Sequence, residues 1–179
     1  MIKIQDYTKC YADIMRKELC EEIIEASGDF QRATVRDGDI SQARNCYDSM
    51  LNKKFDSYIY ESVGKILQRY QNDFTYFTTG LNTEDTGYQH LLYKGSEKGE
   101  YKSHVDHMDL YPRVLSCSFI LNDNYDGGDF SFFDGKHIIK KKVGSAVVFP
   151  SNFCFPHAVT PVTNGDRHAI ITWIHWYIM

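Results

Sequence analysis

From residue 74 to the C-terminus the chain is a succession of short apolar runs cut by turn residues, and no other feature limits its fold as strongly. FTYFTT (74–79), YQHLLY (88–93), RVLSCSFIL (113–121), DFSFF (129–133), HIIKKK (137–142), SAVVF (145–149), a run around Cys154 to Thr160, and HAIITWIHWYI (168–178) all have strand length and strand composition. Asp134-Gly135 between two runs is a strong hairpin signal, and Lys142-Val143-Gly144 a weaker one. Gly127-Gly128 reads as a bulged turn and Gly144 as a tight hairpin. About eight closely spaced strands predict a β-sandwich or barrel.

The first third has a different period. Tyr11, Ile14, Met15, Leu19, Ile23 and Ile24 recur at helical spacing, predicting a helix from Tyr11 with Thr8 as N-cap and Gly28 as its stop. A second helix is expected from about Phe55 to Tyr70, with Phe55, Ile59, Val63, Ile66, Leu67 and Tyr70 on one side. The polar stretch from Phe30 to Asn52 between them reads as a long loop. The expectation is one domain over residues 1–179, mainly β with N-terminal helices (α+β). A helical support region over 1–73 packs on one outer face of a β core over 74–179.

Composition excludes several functions. The 179 residues carry a net charge of −4, which argues against a broad electrostatic nucleic-acid surface; Lys140, Lys141 and Lys142 read as a solvated edge. No apolar run reaches about 18 residues, so no membrane span is expected. The charged N-terminus lacks the apolar stretch of a secretory signal. Five dispersed cysteines without a CxxC pair suit neither structural zinc nor a disulfide framework, which makes a reducing cytoplasm the simplest compartment.

The chemistry gathers around YKSHVDHMD. A lone histidine is ordinarily a surface or core residue. In an extended strand, however, residues i and i+2 share a face, so His104 and Asp106 can converge on one metal. A third ligand from a distant strand would complete the 2-His-1-carboxylate triad of non-haem Fe(II), and His157 in FPHAVTPV suits that role best. Arg167 follows at the head of RHAIITWIHW. A buried arginine beside a ferrous site is what a dicarboxylate co-substrate requires, because its planar fork grips a carboxylate bidentately.

The segment from about Leu91 to Trp176 resembles the Fe(II)/2-oxoglutarate dioxygenases of the prolyl 4-hydroxylase type. The likeness lies in the order of LLYKGSEKGEYKSHVD, LNDNYDGGDFSFF, GSAVVFP and PHAVTPVTNGDRHAIITW, with ISQARNCYDSM resembling the arginine-containing segment ahead of the core. The resemblance implies a double-stranded β-helix, a cupin-like jelly-roll with the metal inside its open end. It implies His104, Asp106 and His157 as iron ligands and Arg167 as the partner of the distal carboxylate. Tyr93 falls near the co-substrate, and Tyr101 is the aromatic residue just ahead of the HxD strand. By alternation Ala169, Ile171 and Trp173 share Arg167's face, which leaves Trp173 open between cavity lining and core packing.

Two features depart from the family's pattern. HVDHMD contains a second HxD, His107 with Asp109. Ile120 stands where some relatives carry a tyrosine, a lost hydroxyl that Tyr93 or Thr172 would replace. The implied cofactors are Fe(II), 2-oxoglutarate and O2, with ascorbate as a candidate reductant. The implied reaction hydroxylates an unactivated C–H bond, first of all on a peptidyl proline, while 2-oxoglutarate is decarboxylated to succinate and CO2. The partner is then a peptide or protein, with a small molecule as the alternative. The 30–52 loop, with Arg32, Arg36 and Arg44, and the Gly80–Gly87 segment are candidate covers. Two other readings stand beside this one: a catalytically silent jelly-roll that binds metal or 2-oxoglutarate, and a cupin-like metalloprotein with another histidine set.

Overall fold

Alternating apolar residues along the strands build two opposed sheets. The computed structural model describes residues 2–35, 40–78, 83–108 and 112–176. The larger sheet runs in the order β1 (Lys9–Tyr11), β12 (Ala146–Pro150), β8 (Arg113–Ile120), β15 (Asp166–Trp176), β6 (Gln89–Lys94), β4 (Tyr47–Met50), β2 (Gln31–Arg32). β5 (Thr83–Asp85) pairs with the far end of β15. The smaller sheet runs β11 (His137–Ile139), β10 (Phe130–Phe132), β13 (His157–Val159), β7 (Glu100–His104), β3 (Arg44–Asn45). A third pair joins β9 (Asp126–Gly127) to β14 (Val162–Asn164), and every strand pairing is antiparallel. This is the expected jelly-roll.

Side-chain alternation sorts the large sheet into two faces. Leu115, Cys117 and Phe119 of β8, Ala146 and Val148 of β12, and Ile170 and Ile174 of β15 pack in one cluster with residues of the two helices. Those helices are α1 (Lys17–Glu25) and α2 (Asp56–Asp73), which contribute Leu19, Ile23, Ile59, Val63 and Ile66. The opposite parity, with Leu91, Tyr93, Ile120, Val147 and Phe149, meets Phe130, Phe132 and Val159 of the smaller sheet. The site opens within this inter-sheet layer. No helix among the described residues is long and apolar enough to cross a membrane.

The second helix lies where its periodicity put it, but the first does not begin at Tyr11. Residues 9–11 pair with β12 as an edge strand, and α1 starts only at Lys17, with Arg16 rather than Thr8 at its N-cap. Sheet edges capture backbone that helical spacing alone would assign to a helix. Ile14 and Met15 both donate their N–H groups to the Gly144 carbonyl. The 30–52 stretch is likewise not a plain loop: it supplies β2, β3 and β4, while residues 36–39, Arg36 among them, lie outside the described residues. Short edge strands carry little hydrophobic signal, so polarity hid them. Among the described residues, the region 1–73 therefore gives four strands as well as two α-helices.

Two further expectations change. FTYFTT forms a 3-10 turn over Thr75–Thr78, its residue 79 lying outside the described residues, and Phe74 and Phe77 pack on Tyr70 of α2. Aromatic density there serves the helix layer instead of a strand. Part of Gly80–Gly87 is β5, and residues 80–82 lie outside the described residues. Asp134-Gly135 does turn β10 into β11, but Gly144 closes no hairpin, because β11 and β12 belong to different sheets. Gly144 sits at φ +76° with the Met15 carbonyl 2.3 Å from where a Cβ would stand. Gly144→Ala is expected to cost about 1–3 kcal/mol of stability, measurable by urea unfolding.

On the helix-facing side, His90 and His168 meet at 3.0 Å between ring nitrogens, with Phe30 against both rings. Burial, and then His168, push the His90 pKa down to about 3. The unfolded chain then binds a proton near pH 6.5 that the native protein refuses. The stabilisation is complete above that pH and is lost as pH falls from there towards 3. Between pH 7 and 5 the wild type is expected to lose up to about 2 kcal/mol through this residue. His90→Gln should flatten that pH dependence of the urea midpoint.

Candidate active site

A cavity of about 660 Å³ opens between the sheets, and His104, Asp106, His157, Arg167, Tyr93, Tyr101 and Trp173 all line it. β7 and β13 are register partners at His104 and His157, which sets the two imidazoles side by side with ring centroids 4.2 Å apart. The strand ends at His104, so Asp106 reaches the site from the segment that follows and not from an adjacent strand position. One donor atom from each of the three residues lies within 4.8 Å of the others. His104 Nε2 is 3.6 Å from Asp106 Oδ1, and His157 Nε2 is 3.7 Å from Asp106 Oδ2.

Both histidines are oriented by the backbone. His104 Nδ1 bonds the Lys102 carbonyl at 2.8 Å, and His157 Nδ1 the Phe155 carbonyl at 3.2 Å. A carbonyl only accepts, so each Nδ1 carries the proton and each Nε2 turns its lone pair towards Asp106. Burial, then the neighbouring His157, pushes the His104 pKa down to about 4, and burial lowers that of His157, which keeps both rings neutral. Burial pushes the Asp106 carboxyl up, but the two histidines and hydrogen bonds from Ser116 and Trp173 outweigh it and hold it below the usual carboxylate value. Ser116 Oγ donates to Oδ2 at 2.6 Å, and Trp173 Nε1 at 3.0 Å. Tyr101 stacks on the His104 ring at 3.6 Å, while Phe130, Phe132 and Phe149 surround His157.

Two neutral imidazole nitrogens and one carboxylate on one side of a pocket are a donor set for a divalent metal that leaves other coordination positions open. Neighbouring ligands of an octahedral ion, each about 2.1 Å from it, lie about 3 Å apart, so the observed spacings close with small side-chain rotations. The residues fit the ion. Trp173 lines the cavity and donates its indole N–H to Asp106, one of the three candidate ligands. Trp173→Phe removes that donor and is expected to weaken metal binding about 10–100-fold in an equilibrium titration.

Arg167 is 3% exposed, pairs in register with Tyr93, and holds its guanidinium 4.9 Å from the Tyr93 ring. Its buried Nη1 has no hydrogen-bond partner, and no carboxylate pairs with it among the described residues. A buried guanidinium nitrogen without an acceptor is costly, which makes Nη1 a donor suited to an anion. Thr172 is a correction: it shares the parity of Ile170 and Ile174, faces the helix layer, and does not line the cavity. His107 lines the cavity but stands outside the metal-holding cluster, and Asp109 lies outside the described residues.

Ser116 and Arg113 carry no site reading in the sequence, whereas Arg44 falls in the 30–52 stretch expected as a cover. Ser116 and Ser118 alternate within the apolar run RVLSCSFIL, a signal of a polar-lined inner face. Arg113 stacks on Trp173 at 3.6 Å and donates to the Asp106 carbonyl at 3.3 Å. Arg44 on β3 faces Tyr101, its guanidinium 5.2 Å from the ring. Neither contact had a local sequence signal.

The sequence profile described as the 2OG-Fe(II) oxygenase superfamily matches residues 88–175, the segment that holds the triad and Arg167. The segment 88–175 belongs to that superfamily. As its name states, the superfamily works with Fe(II) and 2-oxoglutarate. Among curated relatives, a PKHD-type hydroxylase of Psychrobacter sp. is 38% identical over 77 residues, 41% of this chain and 29% of that protein. The chain spans less than half the length of the first curated relatives it matches. Two solved structures share the fold. The viral collagen prolyl hydroxylase of Paramecium Bursaria Chlorella virus-1, in complex with 2OG, superposes with a TM-score of 0.71 at 19% identity, covering 96% of this chain and 97% of that one. A Trichoplax adhaerens prolyl hydroxylase, in complex with a peptide fragment of the hypoxia inducible factor, gives 0.76 at 17%, covering 95% and 83%.

Proposed function

We propose that this 2OG-Fe(II) oxygenase hydroxylates a peptidyl proline and couples the step to conversion of 2-oxoglutarate to succinate and CO2. The observation that carries the co-substrate is the unpaired buried Nη1 of Arg167 in the same cavity as the triad. The proline substrate is supported by the PKHD-type hydroxylases and prolyl hydroxylases to which the chain is similar, and the peptide by the complex named for the Trichoplax protein. His104, Asp106 and His157 would hold the iron. Arg167 would pair with the distal carboxylate of 2-oxoglutarate, with the Tyr93 ring beneath the guanidinium. When bound, iron and 2-oxoglutarate would supply the activation of O2, which is the oxidant: one of its atoms would enter the substrate C–H bond and the other would end in succinate as CO2 leaves.

The chain's own residues do the rest. The two backbone-held imidazoles stay neutral with Nε2 free, and Ser116 and Trp173 keep Asp106 ionised and aimed. Phe130, Phe132 and Phe149 exclude water from the His157 side. Arg113, laid over Trp173, puts a cation in the cavity wall, which suits a peptide's carbonyl groups. The test begins without oxygen: Fe(II) and 2-oxoglutarate are added and the metal-to-ligand absorption band is sought. Oxygen is then admitted, succinate is assayed, and proline-containing peptides are screened for an added oxygen by mass. No band would overturn the co-substrate assignment; a band with succinate and no hydroxylated peptide would overturn the proline assignment.

A further inference from the structure

We propose that Gly128 is a positioning residue that seats Arg167, and that it thereby gives the site its preference for a 2-oxo acid with a distal carboxylate. The inference rests on the pairing of Arg167 with that carboxylate. Gly128 lies at φ +62°, and a Cβ there would stand 2.9 Å from Tyr125 Cε2, 2.9 Å from Val162 Cγ2 and 3.2 Å from Arg167 Cδ. The space a side chain would need is thus filled by the arginine's own stem and its two packing neighbours. Arg167 also lies beside the Tyr125 hydroxyl, where it opposes the upward push of burial on that group's pKa.

The turn itself has nowhere to retreat. Gly128 donates its N–H to the Pro161 carbonyl at 3.1 Å, and Asp129 its N–H to Thr160 Oγ1 at 2.8 Å. A Cβ on the preceding Gly127 would come within 2.2 Å of the Pro161 carbonyl oxygen. With the backbone clamped to the segment entering β14, an added methyl must move Arg167, Tyr125 or Val162. Arg167 is the member that lines the cavity, and its Cδ must yield by a few tenths of an ångström, which shifts the aim of the guanidinium beyond it. The metal ligands sit on other elements, β7, its following segment and β13, so the effect falls on one end of the co-substrate only.

The experiment compares 2-oxoglutarate with 2-oxobutyrate, which keeps the 2-oxo acid head and lacks the distal carboxylate. Binding to the Fe(II)-loaded protein is followed by anaerobic calorimetry. The wild type should prefer 2-oxoglutarate about 10–100-fold, the value of a charged hydrogen-bonded pair. Gly128→Ala should lose about tenfold or more of 2-oxoglutarate affinity and leave 2-oxobutyrate within about threefold. Gly135→Ala, at φ +84° with nothing within 4 Å of its Cβ, imposes backbone strain alone and should keep the wild-type preference. Should Gly128→Ala fail to fold by circular dichroism, Val162→Ile pushes a methyl into the same space from the neighbouring strand and carries the same expectation. An unchanged preference, or an equal loss for both acids, overturns the inference. A wild type that never distinguishes the two acids overturns the Arg167 pairing itself, and this inference with it.

Discussion

Asp106→Ala is expected to abolish metal binding and turnover together. Asp106 is the one carboxylate in the cluster, and the two imidazoles beside it are neutral, so the site's whole negative charge toward a divalent cation resides there. Removing it also strands the Trp173 indole N–H and takes from the Ser116 hydroxyl one of its two partners, leaving it Ser151 Oγ at 2.8 Å. Loss of an outer-shell group already costs about 10–100-fold in metal affinity, and loss of the charged ligand should exceed that. Anaerobic Fe(II) titration and succinate release measure the two consequences. His104→Ala should behave similarly, whereas His107→Ala should retain the metal, because His107 stands outside the cluster. Retention of iron by Asp106→Ala would dismantle the triad; loss of iron by His107→Ala with retention by His104→Ala would move it to the second HxD.

The legibility of this protein in its sequence follows the strength of each local signal. Central strands such as β8 and β12 are largely buried on both faces, and β15 on one, so their apolar runs are long and plain. The short strands β1 to β4, of which β1, β2 and β3 lie at sheet edges, bury little and pair through backbone groups, which have no residue signature. The residues His104, Asp106, His157 and Arg167 were legible because metal and carboxylate chemistry demands particular side chains in a fixed order. What orients them was not. The carbonyls of Lys102 and Phe155 are backbone atoms, and Ser116 reaches Asp106 only because the fold brings β8 beneath the segment after β7. Thr172 shows the limit of alternation used one residue at a time. Its neighbours Ile171 and Trp173 face the cavity, and the parity that places them there turns Thr172 away. Gly128 would be read as a turn glycine from sequence, and only the distance to Arg167 Cδ connects it to the site.

Arg167→Gln should separate affinity from folding, and in opposite directions. Glutamine keeps hydrogen-bonding capacity but loses the charge and the planar fork, so 2-oxoglutarate affinity should fall about 10–100-fold, as expected for charge-assisted hydrogen bonds worth about 1.5–3 kcal/mol. Iron affinity should hold, because Arg167 touches none of the three ligands. The ligand-free protein, in contrast, should be no less stable and should unfold at an equal or higher temperature. A guanidinium 3% exposed, with an unpartnered Nη1 and no carboxylate beside it among the described residues, carries a desolvation cost that the neutral glutamine lowers. Adding 2-oxoglutarate should then raise the thermal midpoint of the Fe(II)-loaded wild type well above that of the variant at the same concentration, since a ligand stabilises the native state according to its concentration over Kd. Purely structural service by Arg167 would produce the reverse pattern, a less stable apo protein with unaltered 2-oxoglutarate affinity. The two melting curves, with and without 2-oxoglutarate, are therefore enough to tell a co-substrate arginine from a core arginine.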